Sequence, residues 1–464
     1  MKCKGKRSTP VSNPGYLNGF NCLGGVVASM YGCTPGGPGF ESRVGPSLVI
    51  ESFCIVSLSN SPELDFLQTM IKIFYWSRWV GIVGLESFVW KIWASLLLSL
   101  LLAIEGEAIW KVVTALAGWA IDMAGHRSVT ARFAGSLFYA SSILGLIQCW
   151  RLSSSWEDIS KYWASVEWIV NIKCMLPDRT LKKRMYRVVI FVAICSIFEH
   201  VMDMVGSFDF QCSGPLCLRK YILKSHGFLL LEFEYSHWIG VPLLFMSIIA
   251  TIIWNLQDLI IILISMGLTS RYKRLNRCVE IVAAKNNREQ NSNTDMEFLK
   301  VNTWRKIREA YVKQAMLVRR IDNSLSGIVL ISTFFNFYFI CLQLFLGITI
   351  GFSGVPLKQI YYIVSLVWIC IRTGCTVLAA ADVNKHSKLA LPYLYECQGQ
   401  FYNIEMERLQ KQLSKDYVAL TGMGFFSLNR NVILQMAASV MTYVLVLVQY
   451  DDTDSSSSNV TKTN

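Results

Sequence analysis

The sequence predicts an all-α membrane protein with seven transmembrane helices, its N-terminus cytosolic and its C-terminus extracellular. Of 464 residues, 53% are hydrophobic and only 16% charged, a composition too apolar for one soluble core. The apolar residues come in blocks of about 20, the length of helix needed to cross a hydrocarbon layer about 30 Å thick. Lys and Arg, finally, crowd into alternate connecting segments, which is the signature of a chain threaded back and forth through a bilayer.

Residues 1–43 are rich in Gly and Pro, end in Gly36-Gly37-Pro38-Gly39 and show neither a helical nor a strand period, which predicts a disordered segment. The basic start followed by Cys22–Met30 imitates a signal peptide only in outline, because Gly and polar residues interrupt its apolar region. Nor is the Gly-rich run a phosphate loop, since no GK[ST] follows and no strand precedes it. Residues 44–78 read as a cytosolic or interfacial lead-in helix, as Val44–Ser59 is short and contains Pro46 and Glu51.

Residues 79–451 form the membrane domain. Its expected spans are Trp79–Leu102, Phe133–Trp150, Val188–Val205, the unusually long His237–Leu268, Leu325–Ile350, Ile360–Ala381 and Phe425–Tyr450. Residues 452–464 make a short extracellular tail with an Asn459-Val460-Thr461 glycosylation sequon.

Charge sets the orientation. The segments 1–78, 151–187, 268–322 and 382–430 together hold 34 basic side chains, whereas 103–132, 207–235, 352–358 and 451–464 hold 8. Basic segments stay on the cytosolic side during insertion, and each is worth about 1 kcal/mol near an anionic leaflet. The net charge of +12 therefore belongs to loops facing acidic lipid and calls for no nucleic acid. The runs Arg271-Tyr272-Lys273-Arg274 and Leu181-Lys182-Lys183-Arg184 abut helix ends as such anchors should. Fourteen cysteines show neither a disulfide framework nor a CxxC metal pair. Only Cys212 and Cys217 share an outer loop, where they are either bridged or two free thiols.

Several segments between about Arg132 and Tyr450 resemble the insect gustatory receptors, and their sugar-receptor branch in particular. These are Gly135-Ser136-Leu137-Phe138-Tyr139, the run Trp156–Glu167, Phe198-Glu199-His200, Trp254-Asn255-Leu256-Gln257-Asp258, Asn336 to Leu344, and Ala419 to Phe426. The last helix carries the family signature, Thr442-Tyr443, five apolar residues, then Gln449 and the aromatic Tyr450. Val44–Ile50 is similar to the family's lead-in motif, although Ser52–Asp65 departs from it, and Val444 stands where the sugar branch usually has Glu. The resemblance implies a tetrameric ligand-gated cation channel in the plasma membrane of sensory dendrites, homomeric or mixed with related receptors, with a cytosolic anchor domain and one pore lined by four last helices.

Chemistry adds candidate sites. A ring of apolar side chains narrow enough to lose its water blocks ions without a plug. Val446 is the candidate, three residues before Gln449 and so on the same helix face, and the resemblance adds Tyr450 at the outer mouth. Glu199, His200 and Asp203 lie within about a turn near the outer end of the third span, where an unpaired charge in lipid would be costly. They either accept hydrogen bonds from a polyol or reach the headgroups. Trp254 and Asp258 pair an aromatic plate with an acceptor, the combination a sugar ring needs. Asp258, deep in the fourth span, is alternatively a buried partner of Arg372. Asn336, Tyr338 and Gln343 add neutral donors and acceptors, and Tyr361, Tyr362 and Trp368 add aromatic faces that could equally be helix packing.

The run Trp304–Asp322 alternates charge with Ile307, Tyr311, Ala315, Leu317 and Val318, predicting a helix below the membrane that with Tyr393–Leu420 builds an intersubunit anchor. A G-protein-coupled receptor would need its N-terminus outside, against the charge distribution. A secondary transporter would typically show internal repeats, and none is visible. No GxSxG, metal triplet or nucleotide loop points to an enzyme or to a cofactor. The expected partners are a sugar or polyol, permeating cations, membrane lipid and further receptor subunits.

Overall fold

The computed structural model describes residues 65–83, 88–117, 119, 129–169, 177–207, 214–230, 232–288, 294–350, 356–397 and 402–460. All belong to the second of two units into which the chain divides, residues 60–464. The expected disordered segment 1–43, the start of the lead-in helix and Cys212 lie outside them. Below, "inner" and "outer" mean the ends that the basic residues assign to cytosol and exterior.

Helix α1 (Asp65–Ser77) is amphipathic. Phe66, Leu67 and Met70 are buried, with Phe66 stacked on Trp163 at 4.2 Å. Tyr75 and Trp76 face outward, 53% and 67% exposed. Asp65 suits the positive N-terminal end of the helix and pairs with Lys182 at 3.2 Å. One 3-10 turn (Arg78–Val80) follows, and Gly81 closes it at φ +88°, a left-handed conformation that glycine adopts without steric cost. The first span therefore does not begin at Trp79. Helix α2 runs Phe88–Leu116, well past the expected end at Leu102. The carbonyls freed at the interruption accept indole N–H groups, Trp79 from Trp93 at 3.1 Å and Gly81 from Trp150 at 2.6 Å.

The remaining elements are α3 (Val129–Ile169), α4 (Leu181–Ser207), α5 (Gly214–Ser225), α6 (His237–Arg288), α7 (Thr294–Ile350), α8 (Pro356–Lys388), α9 (Leu391–Tyr395), α10 (Ile404–Lys415), a hairpin of β1 (Thr421–Gly422) and β2 (Phe426–Ser427), and α11 (Arg430–Val460). Among the described residues, six helices (α2, α3, α4, α6, α7 and α8) are long and apolar enough to span a membrane, and a seventh apolar stretch, Arg430–Val446, is shorter. The α3, α6, α7 and α8 helices pack on one another, and α2 leans on α3. Peripheral α2 and α4 show the solvent-free face of a membrane protein, with Ile92, Trp110, Ile190, Ile194 and Ile197 exposed.

The 52 residues of α6 and 57 of α7 extend about 80 Å at 1.5 Å per residue, more than twice a hydrocarbon core. Both continue through the basic segment 268–322. Their inner halves bury Tyr272, Leu275, Val279, Trp304, Ile307, Tyr311 and Val318, so the apolar face of Trp304–Asp322 is satisfied within the chain. Polar contacts fix the module. Tyr311 donates to Asn276 at 2.5 Å, Asn276 to the His386 carbonyl at 2.9 Å, and Arg271 to Gln314 at 2.7 Å. Arg308 lies 2.7 Å from Glu405, and hydrogen bonding from that guanidinium holds the Glu405 carboxyl below the usual carboxylate range. Asn403 caps α10, accepting from Glu405 and Met406 N–H at 3.1 and 3.0 Å.

The last span does not begin at Phe425. Phe425 N–H donates to the Gly422 carbonyl at 3.0 Å, and the two central residues, Met423 and Gly424, have φ of 49° and 79°, the geometry of a type I′ hairpin turn. Asp322 of α7 accepts Thr421 N–H and Oγ1, each at 2.7 Å. Only at Arg430 does α11 start, with Asn429 Oδ1 accepting Val432 N–H at 3.2 Å. It continues through Val460, into the tail expected from 452.

Candidate functional site

Helices α6, α7 and α8 meet at a buried polar network. Arg372 Nε lies 2.7 Å from Asp258 Oδ2, with both side chains 1% exposed. Asp258 also accepts from Ser332 and from Asn336 Nδ2 at 3.0 Å. Arg372 donates further to Asn255 at 2.6 Å and to Asn336 Oδ1 at 3.0 Å. Its guanidinium covers the Trp254 ring at 4.4 Å, while Trp254 Nε1 donates to Asn336 Oδ1 at 2.9 Å. Trp254, Asp258 and Asn336 are thus brought together, and the partner of Asp258 is Arg372. The face of the Trp254 plate is covered by a cation, and Phe339 packs on it with ring centroids 5.0 Å apart.

A second cluster joins α4, α7 and α8. Ser365 Oγ donates to Glu199 at 2.7 Å and receives Gln343 Nε2 at 3.1 Å. Tyr362 donates to the Gln343 carbonyl. One turn outward on α4, Asp203 accepts from Tyr221 of α5 at 3.2 Å and lies beside the Tyr361 hydroxyl of α8. His200 lies within electrostatic reach of Asp203, and Arg372 within reach of Glu199, so the clusters are continuous in field. Trp368 is buried and meets Phe191 edge-on at 6.0 Å. Tyr338 stands apart, packed on Phe133 and Phe339. Among the described residues, the buried polar atoms without a hydrogen-bond partner on α4, α7 and α8 include Gln343 Oε1, Trp368 Nε1 and His200 Nε2. They are an acceptor, a donor and a group that can be either.

The last helix has two faces. Val440 and Val444 are buried with Phe335, Phe339, Ile340, Cys341 and Ile369. Met441, Tyr443, Leu445 and Val446 are exposed, Val446 at 43%, and Gln449 is exposed with it. Thr442 donates to the Ala438 carbonyl at 3.0 Å. Tyr450 lies in the helix, its side chain outside the described residues. Phe337, Ala438, Ser439, Thr442, Tyr443 and Val446 line an open groove of about 410 Å³. Among the described residues, no group of three His, Cys, Asp or Glu comes together as a metal site.

Sequence reading missed the partners from small or neutral residues, Ser332, Asn255 and Ser365, because a lone hydroxyl or amide in an apolar run carries no pattern. It also missed α5 with Tyr221, which follows no long apolar block. Cys217 of α5 is in a disulfide.

These features define a multi-pass helical membrane protein. The family model for the trehalose receptors matches residues 85–459, and the chain belongs to that family of insect gustatory receptors. Drosophila melanogaster gustatory receptor for sugar taste 64a is 28% identical over 335 residues, 70% of each chain. Gustatory receptor 5a for trehalose, from the same species, is 28% identical over 319 residues, 68% of this chain and 69% of its own. The fold is that of the insect olfactory receptor OR5 of Machilis hrabei, with a TM-score of 0.61, 12% identity, and coverage of 84% of this chain and all of that one.

Proposed function

We propose that this chain is a sugar-gated cation channel of taste neurons, four copies enclosing one pore at the plasma membrane, with its N-terminus and anchor module cytosolic. The carrying observation is the outer cluster. Glu199, Asp203, Ser365, Gln343 and Tyr361 converge from three helices, and the unpartnered Gln343, Trp368 and His200 atoms belong to the same helices. A polyol loses many water hydrogen bonds on binding, and a site dense in donors and acceptors replaces them. The sugar receptors among its relatives agree with this chemistry. Tyr362 borders the site, while Asp258, Arg372, Asn336 and Trp254 hold α6, α7 and α8 in register beneath it, and Tyr338 stays outside it.

Opening requires tighter binding to the open arrangement. Moving a channel from mostly closed to mostly open takes about 5.5 kcal/mol, or about 1.4 kcal/mol for each of four sites, comparable to one hydrogen bond. Val446 forms the apolar constriction, Gln449 and Tyr450 the mouth above it, and the buried Val440–Val444 face transmits shifts of α7 and α8 to the pore.

Whole-cell current from cells expressing this chain alone, with G-protein coupling blocked, tests the reading against a sugar panel. Sugar-evoked inward current is expected. Substrate uptake without channel current, or a response abolished by the G-protein block, would overturn it.

A further inference from the structure

The outer segment from Gly214 to Leu230 is built into the bundle. Lys224 Nζ donates to the Gly206 carbonyl at the end of α4, at 2.8 Å. Phe228 sits directly on α3 at Gly135, where a Cβ would come within 2.6 Å of its ring. One turn further along α3, the Tyr139 hydroxyl shares a 3.1 Å hydrogen bond with His226 Nε2. His226 is 4% exposed and held among Tyr139, Tyr221 and Phe228 with ring centroids 6.0–6.3 Å away. Its carbonyl accepts Leu229 and Leu230 N–H at 2.9 and 3.2 Å, closing the turn. Ser247 of α6 lies beside the hydroxyls of both Tyr139 and Tyr221.

A continuous row of polar side chains results, hydrogen-bonded at both ends: His226, Tyr139, Ser247, Tyr221 and Asp203, touching α3, α6, α5 and α4 in turn. Only its last member belongs to the sugar cluster. The Tyr221 ring is 1% exposed, so its hydroxyl is fixed on Asp203 Oδ2 at 3.2 Å and occupies one of the carboxylate's acceptor directions. A carboxylate has about four such directions, and those that remain for a ligand depend on where Tyr221 holds the group.

We infer that Tyr221 is a positioning residue for the ligand site, aiming the Asp203 carboxylate, and that the His226 turn clamps it to α3. The inference rests on the reading of Asp203 as a ligand contact. It makes the outer segment part of the sensing apparatus. A ligand drawing on Asp203 pulls through Tyr221 on the turn that His226 and Phe228 fasten to α3, so binding and helix movement are mechanically joined at the outer end.

Sugar dose–response currents should be recorded for Tyr221→Phe, Asp203→Asn and the double variant, with surface protein quantified. Tyr221→Phe keeps the ring and its packing. It is expected to raise the half-maximal sugar concentration about five-fold, one hydrogen bond's worth, at unchanged maximal current per surface receptor. Acting through Asp203, it should add nothing to Asp203→Asn in the double variant. Additive shifts, or a lowered maximum at unchanged half-maximal concentration, would reduce Tyr221 to scaffolding and overturn the inference while leaving the sugar reading intact. A wild-type response from Asp203→Asn, or a parent chain silent to every sugar, would instead remove the reading and the inference together. Should Tyr221→Phe fail to reach the surface, Tyr139→Phe breaks the same row and is expected to shift the response likewise. An unshifted response would overturn the inference equally.

Discussion

Arg372 of α8 and Asp258 of α6 form an ion pair at 2.7 Å with both side chains 1% exposed, and every further contact of the pair is to an uncharged side chain of α6 or α7. In a membrane interior neither charge has water to fall back on. Removing one partner leaves the other buried and unpaired, which costs about 3–5 kcal/mol. Asp258→Asn and Arg372→Gln should each lower the thermal midpoint of detergent-purified receptor. The double variant should recover much of the loss, because two neutral amides can hydrogen-bond each other. Fluorescence-detected size exclusion after heating measures this, and a double variant no better than the worse single one would show that the pair has no mutual role.

Val446 presents 43% of its surface on the face opposite Val440 and Val444, which are 8% and 5% exposed. The two faces predict different phenotypes. Val446→Ala should raise resting current by widening an apolar constriction, with normal protein yield. Val440→Ala should destabilise the protein by about 1–2 kcal/mol through a packing defect, read as a lower yield or thermal midpoint, with no added leak. An unchanged leak in Val446→Ala at normal surface level would take the gate away from this residue.

Much of this architecture is legible in the sequence because long apolar helices and basic loops are dictated by the bilayer itself. The boundaries were less so. Trp79 and Phe425 are as apolar as the spans they precede, and only the backbone at Gly81 and at Met423–Gly424 ends the helical path. The site divides similarly. Asp258 and Arg372 stand out as charges inside spans, yet their mutual distance depends on how α6 and α8 cross. Tyr221 and His226 carry no pattern at all, since what gives them meaning is a short outer helix folded onto Gly135 and Asp203. Val444, in place of the Glu usual in the sugar branch, faces Phe339 and Ile369 within one buried apolar cluster, where an unpaired carboxylate would be costly.

Acid should loosen the inner module as pH falls below the usual carboxylate range. Glu405, 8% exposed, receives Arg308 and Arg408, each at 2.7 Å, and the Arg308 hydrogen bond, followed by that of Arg408, keeps it ionised below the usual carboxylate pH. A depressed folded-state pKa contributes stability above the unfolded value of about 4.3 and loses it as pH falls through the lower folded value. The wild-type thermal midpoint should therefore fall between about pH 4.3 and the depressed value. Glu405→Gln should start lower at pH 7 and show a flatter profile over that window. Parallel profiles for the two proteins would exclude Glu405 as the responsible group.

The turn that feeds the pore helix carries a cost that substitution can relieve. Met423 is a non-glycine residue at φ 49° followed by Gly424 at φ 79°, and for a side chain bearing a Cβ the left-handed region costs roughly 1–2 kcal/mol. Asn is tolerated there because its short amide hydrogen-bonds locally, and Asn-Gly is the preferred pair for a type I′ turn. Met423 is also 53% exposed, so little packing is lost on replacing it. Met423→Asn should stabilise the protein by about 0.5–1 kcal/mol, read as a modestly raised thermal midpoint, whereas Gly424→Ala should destabilise it by a similar or larger amount. Because β1 is tied to Asp322 of α7 through Thr421, a loosened turn frees the start of α11 from α7. Gly424→Ala is accordingly expected to weaken coupling as well, with a lower maximal sugar current at unchanged half-maximal concentration. If Met423→Asn destabilises the protein, the methionine is held at this turn by a contact that outweighs its backbone strain.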